Sequence, residues 1–175
     1  MVVADSADSA VRRARPGDAQ AVGAVQARSW RQAFGGVVGP LDERELGAAW
    51  AEAIESPPSP RHAVLVATAG GLVVGFVAVA PASDPDVGAD VGEIAVLAVD
   101  PAHQRAGHGS RLLSAATSTL RDRGVTGVVA WLPLPDAVMR NFLGEAGMVA
   151  DGARRTLAAA DGSTVTQLRL TAALA

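Results

Sequence analysis

Between Val91 and Leu120 the chain passes from a nearly unbroken apolar run, Val91 to Val99, into a helical pattern with Leu112, Leu113, Ala116 and Leu120 on one face. The two are joined by Asp100-Pro101-Ala102-His103-Gln104-Arg105-Ala106-Gly107-His108-Gly109-Ser110. A continuous apolar run of this length is expected inside a sheet, buried on both faces, with the following helix packed by its apolar stripe. The glycine-spaced loop between them constrains the chemistry as well. Glycine lets backbone approach an anion closely, and the unpaired N–H groups of a helix's first turn supply donors and positive potential. The pattern is that of a phosphate cradle, with Glu93 the only ionisable group in the strand that leads to it.

The remaining segments decide what kind of sheet this strand joins. Val11 to Arg15 reads as a short strand, and Pro16 with Asp18 opens a helix running toward Trp30 and Phe34. Asp42 to Ile54 reads as a second helix, stopped by Ser56-Pro57-Pro58-Ser59-Pro60. Ala63 to Thr68 and Leu72 to Val79 flank Ala69-Gly70-Gly71, a hairpin signature. After the cradle helix come a strand, Val125 to Leu132, and a helix, Asp136 to Ala146. A second hairpin follows, Met148 to Leu157 against Thr164 to Leu170 across Asp161-Gly162. Two tight hairpins require antiparallel pairs, so the expected fold is a mixed, largely antiparallel central sheet flanked by helices on both faces.

Composition narrows the function. The 175 residues fit one domain, expected over 11–175 behind a loose tail at 1–10. With no cysteine there is no thiolate catalysis and no cysteine-ligated zinc, and a cytoplasmic protein is expected. Residues 1–10 carry no basic n-region or long apolar run, so neither a signal peptide nor a membrane anchor is expected. All fifteen basic residues are arginine and the net charge is −3, which speaks against nucleic acid as a partner. His62, His103 and His108 have no metal-binding spacing and are expected at the surface; no metal is expected, and no G-x-S-x-G elbow is present.

Three kinds of glycine loop compete for the cradle. A Walker A loop needs lysine, and the chain has none. A dinucleotide loop needs glycines directly after its strand and an acidic residue about 20 positions on; here six residues separate Asp100 from Gly107, and no carboxylate follows Gly124 until Asp136. The remaining pattern, Val-Asp-Pro then Q-x-x-G-x-G then a leucine-bearing helix, resembles the acyl-CoA motif of the GNAT superfamily of N-acetyltransferases. Arg13 to Asp18 with Ser29 to Phe34, and Asp136 to Met148, resemble that family's N-terminal and C-terminal motifs, so the likeness spans nearly all of residues 11–171.

The resemblance implies an acetyl-CoA-dependent N-acetyltransferase acting by direct attack of an amine: a small molecule, an amino-acid-like metabolite or a peptide N-terminus. It places the backbone of Leu97, Ala98 and Val99 along the pantetheine arm and Gln104, Arg105, Ala106, Gly107, His108, Gly109 and Ser110 around the pyrophosphate. Arg105 adds a direct charge there. Glu93 is the candidate base, with a raised pKa expected from burial. The chain departs from the family pattern at His108, at Asp136, expected to cap its helix, and at Leu143, which stands where many members have a tyrosine that protonates the departing thiolate. There is no tyrosine in the chain, so a non-catalytic acyl-CoA-binding module is the alternative.

On the acceptor side, Trp30, Phe34 and Trp50 either wall a pocket or belong to the core. Asp42, Glu43, Glu45, Asp84, Asp86 and Asp90 offer attraction for a cation, Arg28 and Arg31 for a carboxylate, or all are solvated charges. The family also implies a possible homodimer through the C-terminal strands, at the apolar segment Thr164 to Ala175.

Overall fold

The computed structural model describes residues 9–35, 39–159 and 161–175. Its elements are β1 (Ala10–Arg13), α1 (Ala19–Phe34), α2 (Glu43–Glu55), β2 (Ala63–Ala69), β3 (Leu72–Pro81), β4 (Val91–Val99), α3 (His108–Arg121), β5 (Gly127–Pro133), α4 (Ala137–Glu145), β6 (Val149–Ala158) and β7 (Thr164–Ala173). Of the tail expected at 1–10, residues 1–8 lie outside the described residues, and Ala10 already belongs to β1. The seven strands form one mixed sheet in the order β1-β2-β3-β4-β5-β7-β6, antiparallel at every pairing except β4 with β5. No helix among the described residues is long and apolar enough to cross a membrane.

Strand alternation sorts the core into two layers. Leu112, Ala116 and Leu120 of α3 and Leu143 of α4 pack with Leu65, Val77, Val128 and Leu170 on one face. Val22 and Val25 of α1, with Trp50 and Ile54 of α2, pack with Val64, Val66, Phe76 and Ala98 on the other. The entry to α1 is fixed by Asp18, whose carboxylate accepts from Arg12 at 2.7 and 3.0 Å and from the Arg15 N–H at 2.7 Å. The start of α2 is capped by Asp42, which accepts from the N–H groups of Arg44 and Glu45.

Strand β4 is not buried on both faces along its length. It pairs with β5 only at Val91, Gly92 and Glu93, opposite Gly127, Val128 and Val129. Directly beyond, its register with β3 slips by one residue, from Ile94 opposite Val79 to Val96 opposite Ala78, leaving Ala95 as the extra residue of a bulge. A bulge bends its strand and terminates pairing. Ala95 is exposed and Val96 and Leu97 half-buried because β5 has separated from this stretch. The segment expected to meet a second copy, Thr164 to Ala175, is mostly β7, paired with β5 on one side and β6 on the other. From Gln167 to Thr171 it is paired on both sides, and the edge strand at this end of the sheet is β6.

Helices α1 and α2 cross where Gly23 meets Gly47: a Cβ built on Gly23 would lie 2.5 Å from the Gly47 nitrogen and 2.9 Å from its Cα. Glycine to alanine inside a helix ordinarily stabilises by about 1 kcal/mol. Here the sign reverses, since backbone cannot yield as a side chain can. Gly23→Ala should destabilise by about 1–3 kcal/mol through forced separation of the helices, read as a lowered thermal midpoint; an unchanged or raised midpoint would contradict the close crossing.

Candidate active site

The divergence of β4 from β5 opens a cleft of about 650 Å³ through the sheet. Its β4 wall is Glu93 to Leu97 and its β5 wall is Ala130 to Pro133. Met139 and Leu143 close it from α4, Trp30 and Phe34 from the end of α1, and Arg155 and Gln167 from β6 and β7. The lining is mainly apolar, and its only ionisable residues among the described residues are Glu93, Asp136 and Arg155. Asp136 is engaged as expected, accepting from the Met139 N–H at 3.1 Å to cap α4.

Glu93 pairs with Ala80 and Val129. Alternation along β5 places Trp131 on the same side as Val129, facing α1. Burial pushes the half-buried Glu93 carboxyl above the usual glutamate range; Arg155 opposes this and Asp84 adds to it. The carboxyl thus sits in an apolar cleft without an ion-pair partner within 4.0 Å among the described residues.

Beyond the cleft, β4 ends in a 3₁₀ turn, Pro101–His103, and the glycine loop. Asp100 accepts from the Ala102 N–H at 3.0 Å and from Arg28 at 2.8 and 2.5 Å, tying the loop to α1. Gln104 donates through Nε2 to the Val99 carbonyl and to Gln32. Arg105 (φ 61°) and Gly107 (φ 82°) both adopt left-handed backbone, and Gly107 caps α3. The N–H groups of Gly107, His108, Gly109 and Ser110 have no hydrogen-bond partner among the described residues. Left-handed residues interleaved with ordinary ones turn successive N–H groups into a concave anion site, here added to a helix N-terminus. Gly109 packs against Phe142: a Cβ there would stand 3.4 Å from the ring, at ordinary contact distance, so a larger side chain would have to displace it.

His108 is not at the surface. It is 4% exposed, because as the first residue of α3 it turns its ring inward while its N–H points out. Nδ1 lies 3.3 Å from an Arg111 nitrogen. Burial, with the charges of Arg111 and His103 beside it, holds its imidazole below the ordinary histidine pKa, so any part in an anion site belongs to its backbone.

Comparison with known proteins fits this geometry. The family model described as Acetyltransferase (GNAT) family matches residues 24–148. The chain belongs to this family. Solved structures of the same fold include a protein from Salmonella typhimurium holding acetyl-CoA (19% identity, TM-score 0.74, covering 97% of this chain and 95% of that one). Others are a ribosomal-protein-alanine N-acetyltransferase from Brucella melitensis (20% identity, TM-score 0.74, 94% and 99%) and an N-acetyltransferase from Thermoplasma acidophilum in complex with coenzyme A (16%, 0.68, 91% and 97%). No functionally curated protein matches.

Of the aromatics considered for an acceptor pocket, Trp30 and Phe34 line the cleft, whereas Trp50 lies against Phe76 in the core with its indole N–H on Gln26. Arg28 and Arg31 face Asp100 and Glu43 rather than the cleft. Asp84 and Asp86 hold Arg169, and Asp90 accepts from Thr126. Trp131, Arg155, Gln167 and Met139 were not legible as site residues. The only signal for Trp131 was its strand alternation with Val129, and the others become neighbours only when β6, β7 and α4 fold back.

Burial opposes ionisation of Asp100, but the Ala102 N–H and Arg28 outweigh it and hold its carboxyl below the usual aspartate range. A folded value below the unfolded one gives stability that is complete above about pH 4 and lost as pH falls through the folded value. The wild type should exceed Asp100→Asn in denaturant stability at pH 7, and the two curves should converge in acid. Curves that stay parallel down to pH 2 would remove the Asp100 charge from this role.

Proposed function

We propose that the protein is an acetyl-CoA-dependent N-acetyltransferase whose acceptor is the amine of a small molecule, an amino-acid-like metabolite or a peptide N-terminus. The observation that carries this reading is the unpaired edge of β4, which links the Gly107–Ser110 cradle on the α3 and α4 side to Glu93 on the α1 side. Acetyl-CoA supplies an activated thioester when bound. The N–H groups of Gly107 to Ser110 would hold its pyrophosphate, with the Arg105 guanidinium adding charge. The backbone of Leu97, Ala98 and Val99 would bind the pantetheine arm as an added strand, and Gln104 would keep the turn after Val99 in place.

In this mechanism a backbone N–H near Leu97 or Ala98 would polarise the thioester carbonyl from a fixed position. Glu93 removes a proton from the acceptor ammonium, directly or through water, so that a neutral amine forms the N–C bond as the C–S bond breaks. Of the two protons the ammonium loses in becoming an amide, one would leave to solvent through Glu93 and the other would pass by way of water to the departing thiolate, giving free CoA. Residues 11–175 act together as one acyl-CoA-binding unit, and a chain free of cysteine suits the cytoplasm.

One observation favours a second reading. Leu143 is 1% exposed and packed into the core beside the cleft, so no phenol stands where many relatives place their acid. A protein that binds acetyl-CoA but releases no free CoA with any amine of a broad panel would be a binding module. Thiol detection decides this cleanly, because the chain itself contributes no thiol.

Two variants test the roles separately. Gly109→Val should press methyls against Phe142 and weaken CoA binding by about tenfold or more, and unchanged affinity would put the pyrophosphate elsewhere. Glu93→Gln should lower kcat with CoA affinity intact. The wild-type rate should rise with pH through a carboxyl above the ordinary glutamate value of about 4.3, since the base must be ionised to act. The variant should lack that limb; if it kept the limb, another group would be the base.

A further inference from the structure

The acceptor end of the cleft holds a cation with a particular setting. Arg155 lies with its guanidinium carbon 4.4 Å from the centroid of the Trp131 ring, and its Nε donates to Gln167 Oε1 at 2.6 Å. Stacking and the Nε bond fix the plane of the group. Its two terminal nitrogens have no hydrogen-bond or ion-pair partner among the described residues.

The neighbouring carboxylates do not occupy it. Arg169, 5% exposed and also over the Trp131 ring, is paired with Asp86 at 2.7 and 2.6 Å and with Asp151 at 2.7 Å, with Asp84 3.8 Å away. Asp84 additionally accepts from the Trp131 indole N–H at 3.2 Å. These bonds hold Trp131, the platform on which Arg155 rests. A planar guanidinium with fixed orientation and free terminal N–H groups matches a carboxylate in two parallel hydrogen bonds.

We propose that the acceptor is a small amine that itself bears a carboxylate and an apolar remainder, its carboxylate on the terminal nitrogens of Arg155 and its amine at Glu93. The inference rests on the acetyl-transfer reading for the role of Glu93, but the carboxylate site stands on Arg155, Trp131 and Gln167 alone. Glu93 and Arg155 line one cleft without touching within 4.0 Å. A zwitterion offers each a partner, an ammonium for the half-buried Glu93 carboxyl and a carboxylate for the free terminal nitrogens of Arg155. The walls beside them, Trp30, Phe34 and Leu157, are apolar, so a long cationic or acidic side chain on the acceptor finds no partner. A peptide N-terminus carries an amide in place of the α-carboxylate, which separates it from a free amino acid.

The test is equilibrium binding, by calorimetry or ligand-observed NMR, to the full chain saturated with CoA. Leucine, methionine and phenylalanine are each compared with their amides. Charge-assisted bonds of this kind correspond to about tenfold or more in affinity, so each free acid should bind at least about tenfold more tightly than its amide. Arg155→Gln should reduce that ratio to near one, while Arg155→Lys should retain part of it. Amides that bind as well as acids, an Arg155→Gln ratio equal to wild type, or absence of binding by all three acids would overturn the proposal. The acid-to-amide ratio on the wild-type protein stands even if a variant folds poorly. Acid-selective binding without release of CoA would leave this site intact and overturn acetyl transfer instead.

Discussion

Strand β4 leaves β5 after three residue pairs, and almost everything distinctive in this molecule follows from that separation. An interior strand with an unpaired edge is costly, because backbone N–H and C=O groups without partners forfeit their hydrogen bonds. The fold sustains it by anchoring each wall from behind: β4 is paired with β3 along its length, and β5 with β7 from Gly127 to Pro133. The bulge at Ala95 supplies the bend between the paired start of β4 and its free end. The cleft is therefore a seam between two half-sheets, β1 to β4 and β5 to β7, held together at its closed end by the pairs around Glu93. That residue sits where the seam begins, which is why a single carboxyl in the strand is both half-buried and open to a ligand.

The charges follow the same division. Buried or half-buried ion pairs contribute little net stability, since desolvation offsets most of the attraction, and their use lies in fixing geometry. Arg12 with Asp18 sets the entry to α1, and Arg28 with Asp100 ties α1 to the loop after β4. Arg169 gathers Asp84, Asp86 and Asp151 beneath Trp131. Each of these arginines has its partners, and among the described residues the cleft is left with the unpaired Glu93 carboxyl on β4 and the Arg155 cation on β6.

The sequence was most legible where structure is local. The helix starts at Asp42 and Asp136, the hairpins at Gly70-Gly71 and Asp161-Gly162, and the strand-loop-helix around Gly107 lie close to where turn and capping chemistry place them, because a few adjacent residues decide each. Strand β4 was misread as buried throughout because its composition reports an apolar environment, and an apolar cleft has the same composition as an apolar core. His108 was misread for a related reason: a polar side chain between two glycines suggests solvent, but the direction of the first helical residue is set by how α3 packs. The cluster at Trp131 was illegible for a different reason. Arg169 and Asp86 are 83 positions apart, and no local pattern reports which of many surface charges will meet.

The replacement of a phenol by Leu143 can be weighed against the demands of the proposed reaction. A thiol of ordinary pKa, about 8.5, departs as an anion at pH 7 at a cost of only about 2 kcal/mol relative to its protonated form. Water at the open cleft can meet that demand, whereas deprotonation of the acceptor asks for a base held within reach of the amine, directly or through one water. In the proposed reaction deprotonation has the stricter geometric requirement, and the group proposed for it, Glu93, sits at the closed end of the seam. Leu143 instead contributes to the packing of α4 against α3 and β5, which keeps the wall beside the cradle rigid. For the proposed reaction, absence of the acid would lower the rate without removing the reaction, and the arrangement it would depend on is the open edge of β4 with the Glu93 carboxyl at one end and the free N–H groups of Gly107 to Ser110 at the other.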